Sequence, residues 1–432
     1  MENHAQPGHR ESHGDVVYWP LLALSDYILA TGDESILEED VRWAGDTCFL
    51  PKTSVLEHVK AAMRYVQSQR SDDPRLPAFG HGDWNDSLQP SSPELASAMT
   101  STWTAGLEVK ALEAFGRALR HAVPELAAEA AELSERTKEA INELLLIDGE
   151  LCGYAIVNND TVEPLVHPRD ARTGLRHGSL QMIHAIADEL LTPDLARRHL
   201  QIITDELEGP AGVYLFDRPV TYHGGETRTF LRAEAASFWG REIGLMYTHA
   251  HIRWVEALLQ LGEADRAWTA LQKVLPEGAR ALVPGLEPLQ SNCYYSSIDA
   301  SFSDRYEAQA RASELFSPSC PFAGGWRVYS SGPGLVLRLV VEGFLGLKMT
   351  VAGLHVDPVL PETLDGLRAQ VPVGGRIMTV RYHVQGTELQ EVLANGQPVV
   401  GERVPRRYRT GGMLIPRALW AEGVESLDVV LG

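Results

Sequence analysis

Between Val16 and about Gly346, apolar side chains return every three or four residues in stretches that fall into successive pairs. That spacing puts them on one stripe of an α-helix and demands a second helix to cover it. Trp19 to Ala30 is the first stretch, and it stops at Thr31-Gly32-Asp33, where glycine offers the left-handed conformation that ends helices. Val55 to Val66 is the next. Glu94 to Ala118 and Pro124 to Leu146 predict a long helical hairpin rich in Ala and Leu. Leu175 to Leu190 pairs with Leu195 to Leu207, Ile243 to Leu261 pairs with Ala264 to Val274, and Leu335 to Leu345 closes the series. Helix upon helix, joined by polar loops bearing Gly and Pro, predicts a mainly α fold whose natural closed form is a toroid of helical hairpins.

Near Met349 the pattern changes. Met349 to His355, Arg376 to Val384, Glu388 to Ala394 and Ser426 to Leu431 are short, β-branched-rich runs, and Asn395-Gly396 is the clearest hairpin signal. The chain thus reads as residues 1–348, an (α/α) barrel, followed by residues 349–432, a small antiparallel β-domain.

Charge narrows the function. With 38 basic against 58 acidic residues the formal net charge is −20, which repels phosphodiester backbones and anionic membrane surfaces, so neither nucleic acid nor membrane is an expected partner. A small anion is still allowed, because a few Arg, His and backbone N–H groups can hold one locally. Cys48, Cys152, Cys293 and Cys320 show no C-x-x-C or Cys/His spacing, which predicts free thiols and no metal site. Met1 to Asp15 is polar and no later apolar run reaches membrane-span length, so a cytoplasmic location is expected.

Chemistry-bearing groups concentrate in Phe79-Gly80-His81-Gly82-Asp83-Trp84-Asn85-Asp86-Ser87-Leu88. An indole face suits the apolar side of a pyranose, amide and carboxylate groups suit its hydroxyls, and a protonated carboxyl suits the leaving oxygen. The same residues also suit an Asx-rich turn that caps the next helix, and composition alone leaves both readings open. Tyr329-Ser330-Ser331-Gly332-Pro333-Gly334 precedes an apolar helix, so its hydroxyls and N–H groups suit an anion or an ordinary cap. Arg327 either adds a cationic fork there or pairs at the surface. His249 and His251, two residues apart on a helix, point in different directions and do not chelate a metal together.

The run Gly82 to Leu88 resembles the catalytic loop of glycoside hydrolase family 94, whose members are phosphorylases of β-glucosides. Similarity to the 1,2-β-oligoglucan branch continues through His13 to Pro20, Gly240 to His251, Ser291 to Ser297 and Gly324 to Gly334, in that order along the chain. The resemblance implies that Asp86, the second aspartate of the motif, is the general acid. It implies that Asp15 and Trp84, with Asp83 and Asn85, hold the sugar being transferred, although Asp15 also suits a helix N-cap. It implies that Ser331 and Gly332 contact inorganic phosphate, with Arg327 and His249 beside them.

The implied reaction is attack of phosphate on the anomeric carbon from the face opposite the leaving sugar, giving α-glucose 1-phosphate with inversion. An inverting hydrolase on the same barrel needs a second carboxylate roughly 6.5–9.5 Å from the acid, for which Glu234, Glu242 and Asp299 are the places to look. A non-catalytic, carbohydrate-binding remnant is a third reading. No organic cofactor or metal is implied, since phosphate is itself a substrate beside the β-gluco-oligosaccharide. Family members carry a β-sandwich and opening helices ahead of the Asp15 region. The resemblance therefore implies either a piece of a longer or split protein, or an (α/α)6-type toroid incomplete at its N-terminus, left open, associating as a homo-oligomer or completed by a second chain.

Overall fold

A computed structural model describes residues 13–43, 51–158, 161–235, 246–287, 296–324, 331–373, 375–420 and 423–432. The chain divides into two compact units. The first comprises Met1–Met182, Leu215–Gly244 and Phe302–Ser313; the second comprises Ile183–Tyr214, Leu245–Ser301 and Glu314–Gly432.

In the first unit the helix Tyr18–Thr31 ends where expected. Gly32 takes a φ of 74° and donates its N–H back to Ile28 O. Val55–Ser68 begins on Ser54, whose hydroxyl accepts from the Glu57 N–H, and Pro124–Ala140 begins on a proline that needs no hydrogen-bond acceptor there. Thr102–Leu119 is buried along most of its length and packs against both Tyr18–Thr31 and Pro124–Ala140. These helices are tied by one buried carboxylate. Glu108 accepts from the Tyr18 hydroxyl, from Arg70 at 2.9 Å and from the Thr137 hydroxyl at 2.6 Å.

The expected single helix Glu94 to Ala118 is broken. Pro93–Ala98 is followed by a buried strand, Met99–Ser101, before Thr102–Leu119 starts. The strand pairs antiparallel with Tyr154–Ile156, and Tyr154–Asn158 pairs in turn with Thr161–Leu165. Sheet bonds and the Phe79 N–H on Met99 O at 2.7 Å replace the intrahelical bonds. The α-helical part of the expected Pro124 to Leu146 stretch stops at Ala140, and Ile141–Leu145 form one π turn.

In the second unit Pro193–Glu206, Thr248–Leu261, Ala264–Gln272 and Ser331–Arg338 are helical, and Leu339–Phe344 continue the last as a π turn. Two sheets follow. One orders Leu347–Met349, Gly353–Val356, Gly412–Pro416 and Glu402–Val404. The other orders Arg368–Val373, Arg376–Val384, Ser426–Leu431, Leu389–Ala394 and Gln397–Pro398. The expected all-antiparallel pairing needs one correction. Thr379–Val384 run parallel to Ser426–Leu431 in register, so that Val380, Tyr382 and Val384 bury on the same face as Leu427, Val429 and Leu431. Among the described residues no helix is long and apolar enough to cross a membrane.

Removing Glu108 strands a buried guanidinium, a change that costs about 3–5 kcal/mol. Glu108→Ala should therefore lower the urea midpoint of unfolding clearly. An unchanged midpoint would show that the network contributes nothing to stability.

Candidate active site

The segment Phe79 to Pro90 is held at both ends by apolar burial. Phe79 and Leu88 enter one cluster with Met99, Tyr154, Ile156 and Phe230. The Tyr154 ring stands edge-on to Phe79 at 5.0 Å and to Phe230 at 5.6 Å. Backbone bonds fix the same ends: Gly80 N–H on Ala96 O at 3.0 Å, Ser91 N–H on Thr229 O at 2.9 Å and Leu231 N–H on Gln89 O at 2.8 Å. Between them the chain turns through Gly82 at a φ of 125°, which a side chain rarely adopts. A Cβ there would also lie 3.1 Å from Gln89 Cγ.

Asp83 is wholly buried. One oxygen accepts from the Ser101 hydroxyl at 2.6 Å and the Thr104 hydroxyl at 3.4 Å, the other from the Asn85 N–H at 3.0 Å. Burial pushes its carboxyl up to about 7, helped by the nearby Asp15 charge and opposed by those hydrogen bonds. Asn85, also buried, accepts the Ser87 N–H at 3.1 Å and so caps the short 3₁₀ turn Asp86–Leu88. Both side chains, expected to hold sugar hydroxyls, are turned into the loop and give it its shape.

Asp86 is the open carboxylate. Its side chain is 46% exposed, with His13 Nδ1 3.9 Å from Oδ1. Trp84 is half-buried in the same loop. His13 and Asp15 are brought alongside by a bridge between His13 and Gly80 and by the Gly14 N–H on Gly82 O at 2.9 Å. A side chain at Gly14 would press on Phe79 O at 3.0 Å, so the approach requires glycine.

Asp15 is buried and does not cap a helix through its side chain. The helix starts at Tyr18 on Val17, and Asp15 instead accepts the Trp19 indole N–H at 2.9 Å. Burial raises its pKa, and the Asp86 charge adds to the rise while Trp19 and His13 oppose it. Asp15, Asp83 and Asp86 thus share one electrostatic neighbourhood. His13 carried no role in the sequence reading. Its place two residues before Asp15, beside a glycine, was the available signal.

The anion candidates lie in the second unit. Gly332 is buried in the first turn of Ser331–Arg338; Arg327 and the Ser331 side chain lie outside the described residues. Arg338 pairs with Glu256 at 2.9 Å and Leu259 packs on Gly343. Those contacts pack the helix from Ser331 and its π turn against the helix from Thr248. His249 lies in the first turn of the helix from Thr248. Burial, with the charges of His184 and Arg253, pushes His249 down to about 4, leaving a neutral imidazole. His251 is structural: Nδ1 accepts the Val213 N–H at 3.1 Å and Nε2 donates to Ala270 O at 2.9 Å.

Of the carboxylates that a hydrolase would need, Glu234 is buried and accepts the Thr229 and Phe230 N–H groups, each at 3.0 Å, and also that of Arg228. Asp299 accepts the Ser297 hydroxyl at 2.8 Å in the second unit. Glu242 lies outside the described residues. Among the described residues no cluster of His, Cys, Asp and Glu could hold a metal ion.

The sequence matches two family profiles: the glycosyl hydrolase 94 superfamily, catalytic domain, over residues 1–284, and a glycoside phosphorylase C-terminal domain over residues 346–428. It is 34% identical over 94% of its length to a 1,2-β-oligoglucan phosphorylase of Listeria innocua, of which it covers 37%. It is 25% identical over 90% of its length to a cellobionic acid phosphorylase of Neurospora crassa, of which it covers 46%. Against the cyclic β-(1,2)-glucan synthase NdvB of Rhizobium meliloti, identity is 25% over 85% of this chain and 13% of that protein. The chain thus spans less than half the length of each of these relatives.

Asp83 holds its proton more tightly folded, at about 7, than in an unfolded chain, where an aspartate titrates near 3.8. Its contribution is therefore complete below the unfolded pKa and is lost as pH rises through about 7. Asp83→Asn should keep the neutral shape, so its melting temperature should fall less than that of wild type between about pH 4 and 8, a range covering that window. Parallel pH profiles in differential scanning calorimetry would contradict this.

Proposed function

This chain belongs to the glycosyl hydrolase 94 superfamily, and on that premise we propose that it carries out inverting phosphorolysis of β-linked gluco-oligosaccharides, with β-1,2 links preferred. Residues 1–348 then form the catalytic (α/α)6-type toroid and residues 349–432 its β-domain. The linkage is suggested by the Listeria relative, which is named as a 1,2-β-oligoglucan phosphorylase. The observation that carries the catalytic assignment is the contrast within one loop: Asp83 is turned inward on three donors while Asp86 stands open to a substrate.

In this reading Asp86 delivers its proton to the glycosidic oxygen as the C–O bond breaks, and a phosphate oxygen forms the new bond at the anomeric carbon from the opposite face. The proton that phosphate gives up balances the one the leaving sugar gains. His13 orients the Asp86 carboxyl. Asp15, already anchored on Trp19, and Trp84 hold the donor glucose, while Asp83 and Asn85 keep the loop in shape. Ser331, Gly332 and His249, with Arg327, bind phosphate; a helix N-terminus and neutral donors suit an anion inside an acidic protein. Phosphate is already a charged nucleophile, so no second carboxylate, metal or organic cofactor is required. The engagement of Glu234 with backbone N–H groups weighs against a hydrolytic base there.

With β-1,2-gluco-oligosaccharides and phosphate the protein should release glucose 1-phosphate. Asp86→Asn should lower kcat by about 10²–10⁴-fold, the usual weight of general acid catalysis, with substrate binding retained. Release of free glucose at a rate independent of phosphate would defeat the proposal.

A further inference from the structure

Among the described residues of the first unit, Tyr306 is the most exposed of the large hydrophobic side chains. Tyr306, on the short helix Arg305–Ala310, is 66% exposed. The Tyr222 ring meets it edge-on at 5.5 Å and 80°, so the two rings make a corner. Beneath Tyr222 lies Arg305, itself buried, with its guanidinium 5.2 Å from the ring centroid. Arg305 donates to Val220 O and Ala233 O, and the Tyr222 N–H reaches Gln309 Oε1 at 3.4 Å. A buried cation thus backs the half-buried Tyr222 ring, while Tyr306 stays exposed.

The same segment borders the catalytic loop. Ala233 lies two residues beyond Leu231, whose N–H is bonded to Gln89 O three residues after Asp86, and Thr229 O accepts the Ser91 N–H. The rings are therefore joined to the acid loop through rigid hydrogen-bonded structure. Gly224 and Gly225, just past Tyr222, would meet nothing within 4 Å if they carried side chains, so the approach to the corner is open.

We propose that Tyr306 and Tyr222 form a binding platform for the glucose units of a β-gluco-oligosaccharide that lie beyond the scissile bond, on the leaving-group side. A ring face pairs with the apolar C–H face of a pyranose, and hydroxyls at its rim find the polar flank of Gln309, His223 and the Glu226–Arg228 pair. A strongly acidic chain disfavours an anionic occupant, and two rings offer too little area for a protein partner. The assignment rests on the phosphorylase reading for its direction along the sugar chain.

The test compares kcat/KM for β-1,2-gluco-oligosaccharides of increasing length in wild type, Tyr306→Ala and Tyr306→Phe. Tyr306→Ala should raise KM about three- to tenfold for long substrates, the weight of one aromatic contact, leave the shortest reactive substrate unchanged, and leave kcat unchanged throughout. Tyr306→Phe should behave as wild type. Equal loss at every length, or no loss at any length, overturns the platform. Calorimetric titration of the same sugars without phosphate separates the two readings: a length-dependent affinity lost in Tyr306→Ala supports the platform even if no glucose 1-phosphate forms. A length-independent affinity overturns it.

Discussion

Burial of Phe79 and Leu88 in one apolar cluster is the constraint on which the acid loop depends. A loop carrying three polar side chains in four residues has little tendency to hold one shape in water, because its backbone and side-chain groups bond equally well to solvent. Anchoring both ends reverses this. The turn between them is short enough that Asp83 and Asn85 satisfy its backbone N–H groups from inside, and the remaining carboxylate, Asp86, has nowhere to go but outward. Tyr154 and Phe230 extend the same cluster to the segment that borders the loop on its other side, so sheet, loop and neighbouring segment share one core.

Acidic residues are plentiful in this chain, and what separates their tasks is exposure and partnership. Glu108 is a tie between helices because Arg70, Tyr18 and Thr137 surround it. Glu234 is a cap because successive N–H groups converge on it. Asp83 is a frame for its own loop. Each of these carboxylates is answered by fixed donors within the protein, which is the condition for burying such a group at tolerable cost. Asp86 is distinguished from them by its open face.

Local signals in the sequence were readable where the deciding physics is local. Gly32 ends its helix in the left-handed conformation, and Asn395-Gly396 forms the tight turn with positive φ at both residues. The strand Arg376–Val384 shows the alternation of buried and exposed positions that a half-buried sheet imposes. The strand Met99–Ser101 was hidden because three residues cannot display an alternation, and they sit in a run whose apolar spacing continues through them. The parallel pairing of Arg376–Val384 with Ser426–Leu431 was hidden because register between distant strands is a tertiary property. In the candidate site, the motif singled out one loop. Only burial reveals that Asp83 and Asn85 are turned inward, and only the Gly14 and Gly80 contacts bring His13 beside Asp86.

Two helices end in a wider turn, at Ile141–Leu145 and Leu339–Phe344. Such a turn is what an α-helix becomes when a single residue is added without breaking the rod. Both places therefore carry one residue beyond the α spacing within an unbroken rod. In the second case that slack lies between Gly332 and the first strand at Leu347, so the helix start and the sheets are joined through a looser turn than an α-helix supplies.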